Sequence, residues 1–147
     1  MIVKAHPASV YIQKLEALLR RLPASHSKRK RVEENLAKRM AGDRGEKAID
    51  FHLSYLNEKD YYIFYDIRPF DGSHYFQIDA LILSKRFIVI LEVKNIMGML
   101  YFDSDFNQLI RTLDEKEEPF PDPILQVERQ SLQFKKWLGR HIKNIFQ

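Results

Sequence analysis

Apolar residues recur every three or four positions over residues 8–22, where Val10, Leu15, Leu18, Leu19 and Leu22 fall along one side of a helix. Ser9 is placed to cap that helix, and Pro23 stops it. Residues 27–40 keep helical spacing only at Val32, Leu36 and Met40, and charge dominates the rest. They read as a second helix, a surface arm with few anchors. Gly42 and Gly45 interrupt the pattern, and a third helix is expected from about Arg44 to Leu56, with Ala48, Ile49, Leu53 and Leu56 along one side. Glu46 and Asp50 lie four residues apart on its surface.

At Tyr61 the spacing changes to alternation, and β-branched and aromatic residues take over. Tyr61–Arg68, Tyr75–Ser84 and Phe87–Asn95 read as strands, with turns at Pro69–His74 and Lys85-Arg86. Met99–Phe102 and Gln108–Leu113 read as a further hairpin across Asp103–Asn107. The acidic stretch Asp114–Glu118 and Pro119, Pro121 and Pro123 read as a loop. A last helix opens with Asp122 as N-cap and Pro123 at its first position, and runs to about Leu138. Ile124, Val127, Phe134 and Leu138 form its expected buried stripe, helped by Leu125 and Leu132. The tail Arg140–Gln147 leaves room for one short strand over Ile142–Phe146. The expected order is α-α-α-β-β-β-(β-β)-α.

Two charged patches stand out inside the strands. Asp79 sits in the apolar run FQIDALIL, and Glu92 closes the run FIVILEV with Lys94 two residues on. Charges placed in such runs call for a partner or a metal, because an unpaired buried charge is expensive. Residues two apart share a face of a strand, so Gln77 goes with Asp79 and Glu92 with Lys94. If the two strands are antiparallel neighbours, Asp79 and Glu92 come out as near cross-strand partners around the Lys85-Arg86 turn. Two carboxylates that close repel unless a cation lies between them, and hard oxygen ligands suit Mg²⁺ or Mn²⁺. The main-chain carbonyl of Val93 is a further candidate ligand, and Lys94 supplies positive charge for a phosphoryl transition state. From spacing alone, a satisfied ion pair at a sheet edge explains the same residues equally well.

The chain has 147 residues, 45% of them hydrophobic, which suits one domain with one core. The absence of cysteine excludes disulfides, thiolate zinc sites and cysteine nucleophiles, and fits a reducing compartment. The first residues lack the apolar run of a signal peptide, and no stretch approaches the roughly 18 apolar residues of a membrane span, so a cytoplasmic protein without membrane contact is expected. The net charge is +4, and its excess is gathered in two places. Lys28, Arg29, Lys30, Arg31, Lys38, Arg39 and Arg44 form one cluster; Lys135, Lys136, Arg140, His141 and Lys143 form another. One such cluster is usually a solvated helix face, but two flanking a candidate phosphodiesterase site point to nucleic acid. No histidine has metal-ligand spacing to another, and Asp103, Asp105 and Asp114 lack the spacing of a calcium loop.

Gly42-x-x-Gly45-Glu46, then Gln77-Ile78-Asp79, then Ile90-Leu91-Glu92-Val93-Lys94-Asn95 with Gly98 close behind, resembles the nuclease-related domain (NERD) family of the PD-(D/E)xK, restriction-endonuclease-like superfamily. The resemblance covers roughly Gly42 to Leu138. It implies an α/β fold with an αβββαβ core, a mixed sheet flanked by helices and a site at one sheet edge. The division would be a helical extension over residues 1–41 and the nuclease-like domain over 42–147. Asp79 would be the central metal ligand and Glu92 the second. Lys94 would be the catalytic lysine. Glu46 would be the acidic residue of the preceding helix, a third or outer ligand. Gln126 and Gln130 would form a glutamine-bearing helix facing the site. Ile78 stands where the superfamily often has proline, as is usual for NERD sequences. The fold also needs a strand after the last helix, which a partner chain could supply.

The expected function is hydrolysis of nucleic acid, with DNA favoured, by a water activated by Mg²⁺ or Mn²⁺. Glu46, Asp79, Glu92 and Lys94 would act in catalysis, with Asp79, Glu92, Val93 and Glu46 holding the metal. Lys28, Arg29, Lys30, Arg31, Arg44, Gln77, Gln126 and Gln130 would face the nucleic acid. The rivals are a non-catalytic nucleic-acid-binding module and an interaction domain completed by another chain, such as a homodimer.

Overall fold

The structure, a computed structural model, describes residues 1–142. The described residues hold three helices and two sheets in a mixed α/β arrangement. The expected strand over Ile142–Phe146 lies outside them, apart from Ile142, which caps the last helix.

A short strand β1 (Ile2–Lys4) comes first. Its three residues are too few to give a periodic signal, and no strand was expected there. Helix α1 (Val10–Arg21) follows, and the Ser9 hydroxyl accepts from the Ile12 N–H as its cap. The next helix, α2 (Arg29–Leu53), is one continuous element, not two helices broken at the glycines. A helix-interior glycine costs only about 1 kcal/mol, too little to end 25 residues of helix supported at both ends. Its first half packs on α1, where Arg29 donates through Nη1 to the Leu19 and Leu22 carbonyls and so caps the end of α1.

Three antiparallel strands build the main sheet: β2 (Tyr61–Ile67), β3 (Ile78–Ser84) and β4 (Ile88–Leu91). β1 adds to β2 in parallel, which makes the sheet mixed, in the order β1-β2-β3-β4. A second sheet contains β5 (Met99–Asp103), β6 (Gln108–Leu113) and β7 (Lys116–Pro121). The segment expected to be a proline-rich loop is therefore a strand. Asp114 and Glu115 both take positive φ, 51° and 60°, which makes a two-residue hairpin turn. β7 lies at the sheet edge, where Pro119 and Pro121 are tolerated.

Helix α3 (Pro123–His141) opens as expected, with the Asp122 carboxylate accepting from the Ile124 N–H. Its buried stripe keeps Val127, Phe134 and Leu138 of the expected one, with Phe134 buried and the other two half-buried. Ile124 is 56% exposed and Leu132 68%, and Leu125 is exposed as well, while Gln130 joins the stripe as a buried polar residue and Trp137 packs beside Phe134. Phe134 joins Phe76, Ile78 and Leu81, so α3 covers one part of the main sheet. Ile49 and Leu53 of α2 join Ile63, Tyr65 and Ala80 on another. No helix among the described residues is long and apolar enough to cross a membrane.

The two glycines of α2 do different jobs. A Cβ on Gly45 would lie 2.3 Å from the Asn95 Cβ, whereas one on Gly42 would meet nothing within 4 Å. Asn95 also donates through Nδ2 to the Ala41 carbonyl at 2.7 Å, so the chain after β4 lies directly against α2. Gly45→Ala should destabilise the protein by about 1–3 kcal/mol. Gly42→Ala should be neutral or stabilise by about 0.5–1 kcal/mol. Urea denaturation of the two variants checks this contrast, and equal effects would contradict the close approach at Gly45.

Candidate active site

The ends of three strands set the site. Tyr65 pairs with Ala80 and Ile67 with Ile78, which puts Asp66 across from Asp79. Ala80 pairs with Leu91, which puts Glu92 across from Asp79 on the other side. The expected cross-strand relation of Asp79 and Glu92 therefore holds in register, although β4 ends at Leu91 and not at Asn95. Asp66, Asp79 and Glu92 form a row, and Glu46 approaches the row from α2.

The charge environment records this crowding. Burial raises the Asp79 carboxyl above its ordinary range; the Val93 N–H works against that, and the charges of Glu92 and Asp66 add to it. Glu46 is raised by burial first and then by Asp79 and Asp66. Asp79 keeps one strong partner, since its Oδ2 accepts from the Val93 N–H at 3.0 Å. That bond ties the chain beyond β4 back to β3.

Glu92 is almost fully enclosed, with its side chain 4% exposed. Its Oε1 accepts from Lys94 Nζ at 2.6 Å, and its Oε2 accepts from Gln130 Nε2 at 2.8 Å. Lys94 Nζ also donates to Gln126 Oε1 at 2.9 Å. The two glutamines one turn apart on α3 thus meet the glutamate and the lysine of Glu-x-Lys, one each. The expected shared orientation of Glu92 and Lys94 is met, outside the strand. The enclosed Glu92 carboxylate needs partners for both oxygens, and Lys94, itself 30% exposed, and Gln130 supply them.

The basic residues scatter. Arg29 serves the fold, with Nε on Glu33 Oε1 at 3.0 Å and Nη1 on the end of α1. Lys28, Lys30 and Arg31 are exposed at the start of α2, and Arg44 is exposed near Glu46 in sequence. Gln77 is exposed and borders a cleft of about 550 Å³ together with Glu46 and Asp66. Val93 reaches the site through its N–H.

The family model described as nuclease-related domain (NERD) matches residues 41–147. The chain belongs to that family. No curated protein and no solved structure matches the chain. Within the NERD match lie Glu46, Asp66, Asp79, Glu92, Lys94, Gln126 and Gln130; residues 1–40 fall outside it.

Two participants were not read from the sequence. Asp66 is the lone charge in YYIFYDI, the same signal that marked Asp79, and it takes φ 45°, a left-handed conformation that aspartate tolerates. Its carboxylate is held by Arg68 Nε at 3.2 Å and its carbonyl by Lys4. His6, from outside the NERD match, donates through Nε2 to Asp50 Oδ1 at 2.9 Å and stacks on Tyr65 at 3.9 Å between ring centroids. Nothing local in the sequence tied it to the sheet.

The raised Asp79 carboxyl has a stability consequence. A carboxyl whose folded pKa exceeds its unfolded one favours the fold below the unfolded pKa, and that advantage is lost as pH rises through the folded value. At neutral pH its ionisation therefore works against folding. Asp79→Asn should raise the thermal midpoint at pH 7–8, and the gain should fade as pH drops toward the ordinary aspartate value of 3.8. Thermal unfolding across that range checks it. A variant less stable than the parent at pH 7 would contradict the assignment of burial as the dominant cause.

Proposed function

We propose that this NERD protein is a metal-dependent nuclease that hydrolyses phosphodiester bonds of nucleic acid, with DNA the favoured substrate. The observation that carries the reading is the Lys94 ammonium held between Glu92 and Gln126, with Glu92 across from Asp79. This is the pairing of acid and amine that the Glu-x-Lys arrangement needs.

The donor chemistry fits Mg²⁺ or Mn²⁺. Carboxylates and a main-chain carbonyl are hard oxygen donors, and the excess negative charge around Asp79 and Glu46 suits a cation. Gln130 Oε1 is buried without a donor, an acceptor suited to the hydration shell that magnesium keeps. Asp79, Glu92, the Val93 carbonyl and Glu46 would hold the ion, whose contribution when bound is to acidify a water and neutralise charge on a phosphate oxygen.

The chain's own residues do the rest. Gln130 fixes the Glu92 carboxylate, and Gln126 fixes the Lys94 ammonium. Lys94 meets negative charge that grows on the phosphoryl oxygens as water attacks, and does so in a partly enclosed site where charge interactions are strong. The Val93 N–H keeps one Asp79 oxygen oriented and leaves the other for the reaction.

One observation favours a second reading, a binding module without catalysis. Among the described residues no three acidic or histidine side chains lie close enough together to hold a metal, and Lys94 is closed on Glu92.

Cleavage assays separate the two. With Mg²⁺ or Mn²⁺ the protein should cleave DNA, and EDTA should stop it. Asp79→Ala, Glu92→Ala and Lys94→Ala should each lower the rate by about a hundredfold or more, with circular dichroism unchanged. Glu92→Ala protein that cleaves as fast as wild type would refute the reading; salt-sensitive DNA binding indifferent to EDTA, with no cleavage, would establish the module instead.

A further inference from the structure

The cleft beside Glu46 has walls from two parts of the chain. Its volume is about 550 Å³. One wall is the segment of residues 6–11, which precedes the NERD match, and the other is the middle of α2, where Lys38, Arg39, Gly42 and Glu46 border the space. Asp66, Arg68 and Gln77, from the ends of β2 and β3, complete it. The segment is anchored where it begins. β1 pairs with β2, and His6 bonds Asp50 and stacks on Tyr65.

The charges around the cleft do not balance evenly along it. Among the described residues, Asp43 is paired with Lys47 at 2.8 Å and Asp66 with Arg68 at 3.2 Å. Lys38 and Arg39 are exposed and have no carboxylate partner among the described residues. The Arg39 guanidinium lies over the Tyr11 ring, 4.9 Å from its centre, which orders it without neutralising it. The α2 side of the cleft thus presents two cations, with the Tyr11 ring facing them from the other wall, and the carboxylate row begins at Glu46 about two turns further along α2.

We infer that this cleft binds an unpaired strand of nucleic acid, with Lys38 and Arg39 on its phosphates, and that residues 6–11 close it to a duplex. The volume is that of a pocket for a nucleotide-sized ligand, and two paired strands exceed it. Ordered cations beside an aromatic ring are the usual means of holding single strands. The strand then leads from the cations to Glu46 and Asp79. The inference uses the nuclease reading only for the fate of the bound strand; binding itself does not depend on it.

Fluorescence anisotropy in EDTA tests this without cleavage, using a labelled oligodeoxythymidylate and a duplex of equal length with the full-length protein. Wild type should bind the single strand more tightly than the duplex. Lys38→Ala/Arg39→Ala should weaken single-strand binding about tenfold or more and reduce the slope of log affinity against log salt by about 1.4, as loss of two phosphate contacts requires. Lys85→Ala/Arg86→Ala, the same charge change in the β3–β4 turn away from the cleft, should bind nearly as wild type. Tyr11→Ala should give a smaller loss by freeing Arg39. Equal losses in the two double variants, a preference for duplex, or no single-strand binding by wild type would each overturn the inference. If Asp79→Asn cleaves as wild type, the nuclease site is wrong while the cleft stands on its binding data.

Discussion

Like charges forced together across neighbouring strands are the constraint around which this protein is arranged. Asp66, Asp79 and Glu92 are set side by side by the registers of β2, β3 and β4, and Glu46 comes down on them from α2. Burial and mutual repulsion raise Asp79 and Glu46, so the fold holds these groups against their own preference. The counterweights are few and local: Lys94 on Glu92, Arg68 on Asp66, and the Val93 N–H on Asp79. The fold carries these groups at a cost to its own stability, as the proposed metal site requires.

The segment from Glu92 to Asn95 is the joint that makes this possible. It leaves the sheet after Leu91, so its side chains are no longer bound by strand alternation. Asn95 locks it against α2 where Gly45 has no side chain, Asp79 holds its main chain, and Gln126 and Gln130 hold Lys94 and Glu92 from α3. Three elements distant in sequence, α2, β3 and α3, therefore meet on four residues. Gly45, Asn95 and the two glutamines position the acids and the lysine.

Much of this was readable because it was written in periodicity and in misplaced charge. The alternation of β2, β3 and β4 and the carboxylates inside apolar runs carried the strands and the Asp79–Glu92 relation, while Gln126 and Gln130 came only from the family resemblance. What escaped has physical causes. Gly42 and Gly45 look like breakers, yet α2 runs on because its packing at both ends outweighs about 1 kcal/mol per glycine. Pro119 and Pro121 look like loop residues, yet an edge strand does not need their missing N–H groups. The burial of Gln130 on the same face as Val127, Phe134 and Leu138 had no hydrophobic signal, because a polar residue in a helix stripe carries none. Long-range pairing of β1 and His6 with the sheet has no local signature at all.

The central claim is that these carboxylates gather round one divalent cation beside Lys94. Anomalous diffraction from crystals soaked in Mn²⁺ tests it most directly. The account predicts a single strong manganese peak between Asp79 and Glu92, within reach of the Val93 carbonyl, and loss of that peak in Asp79→Asn crystals. Manganese bound only elsewhere, with the Lys94–Glu92 bond intact, would contradict it.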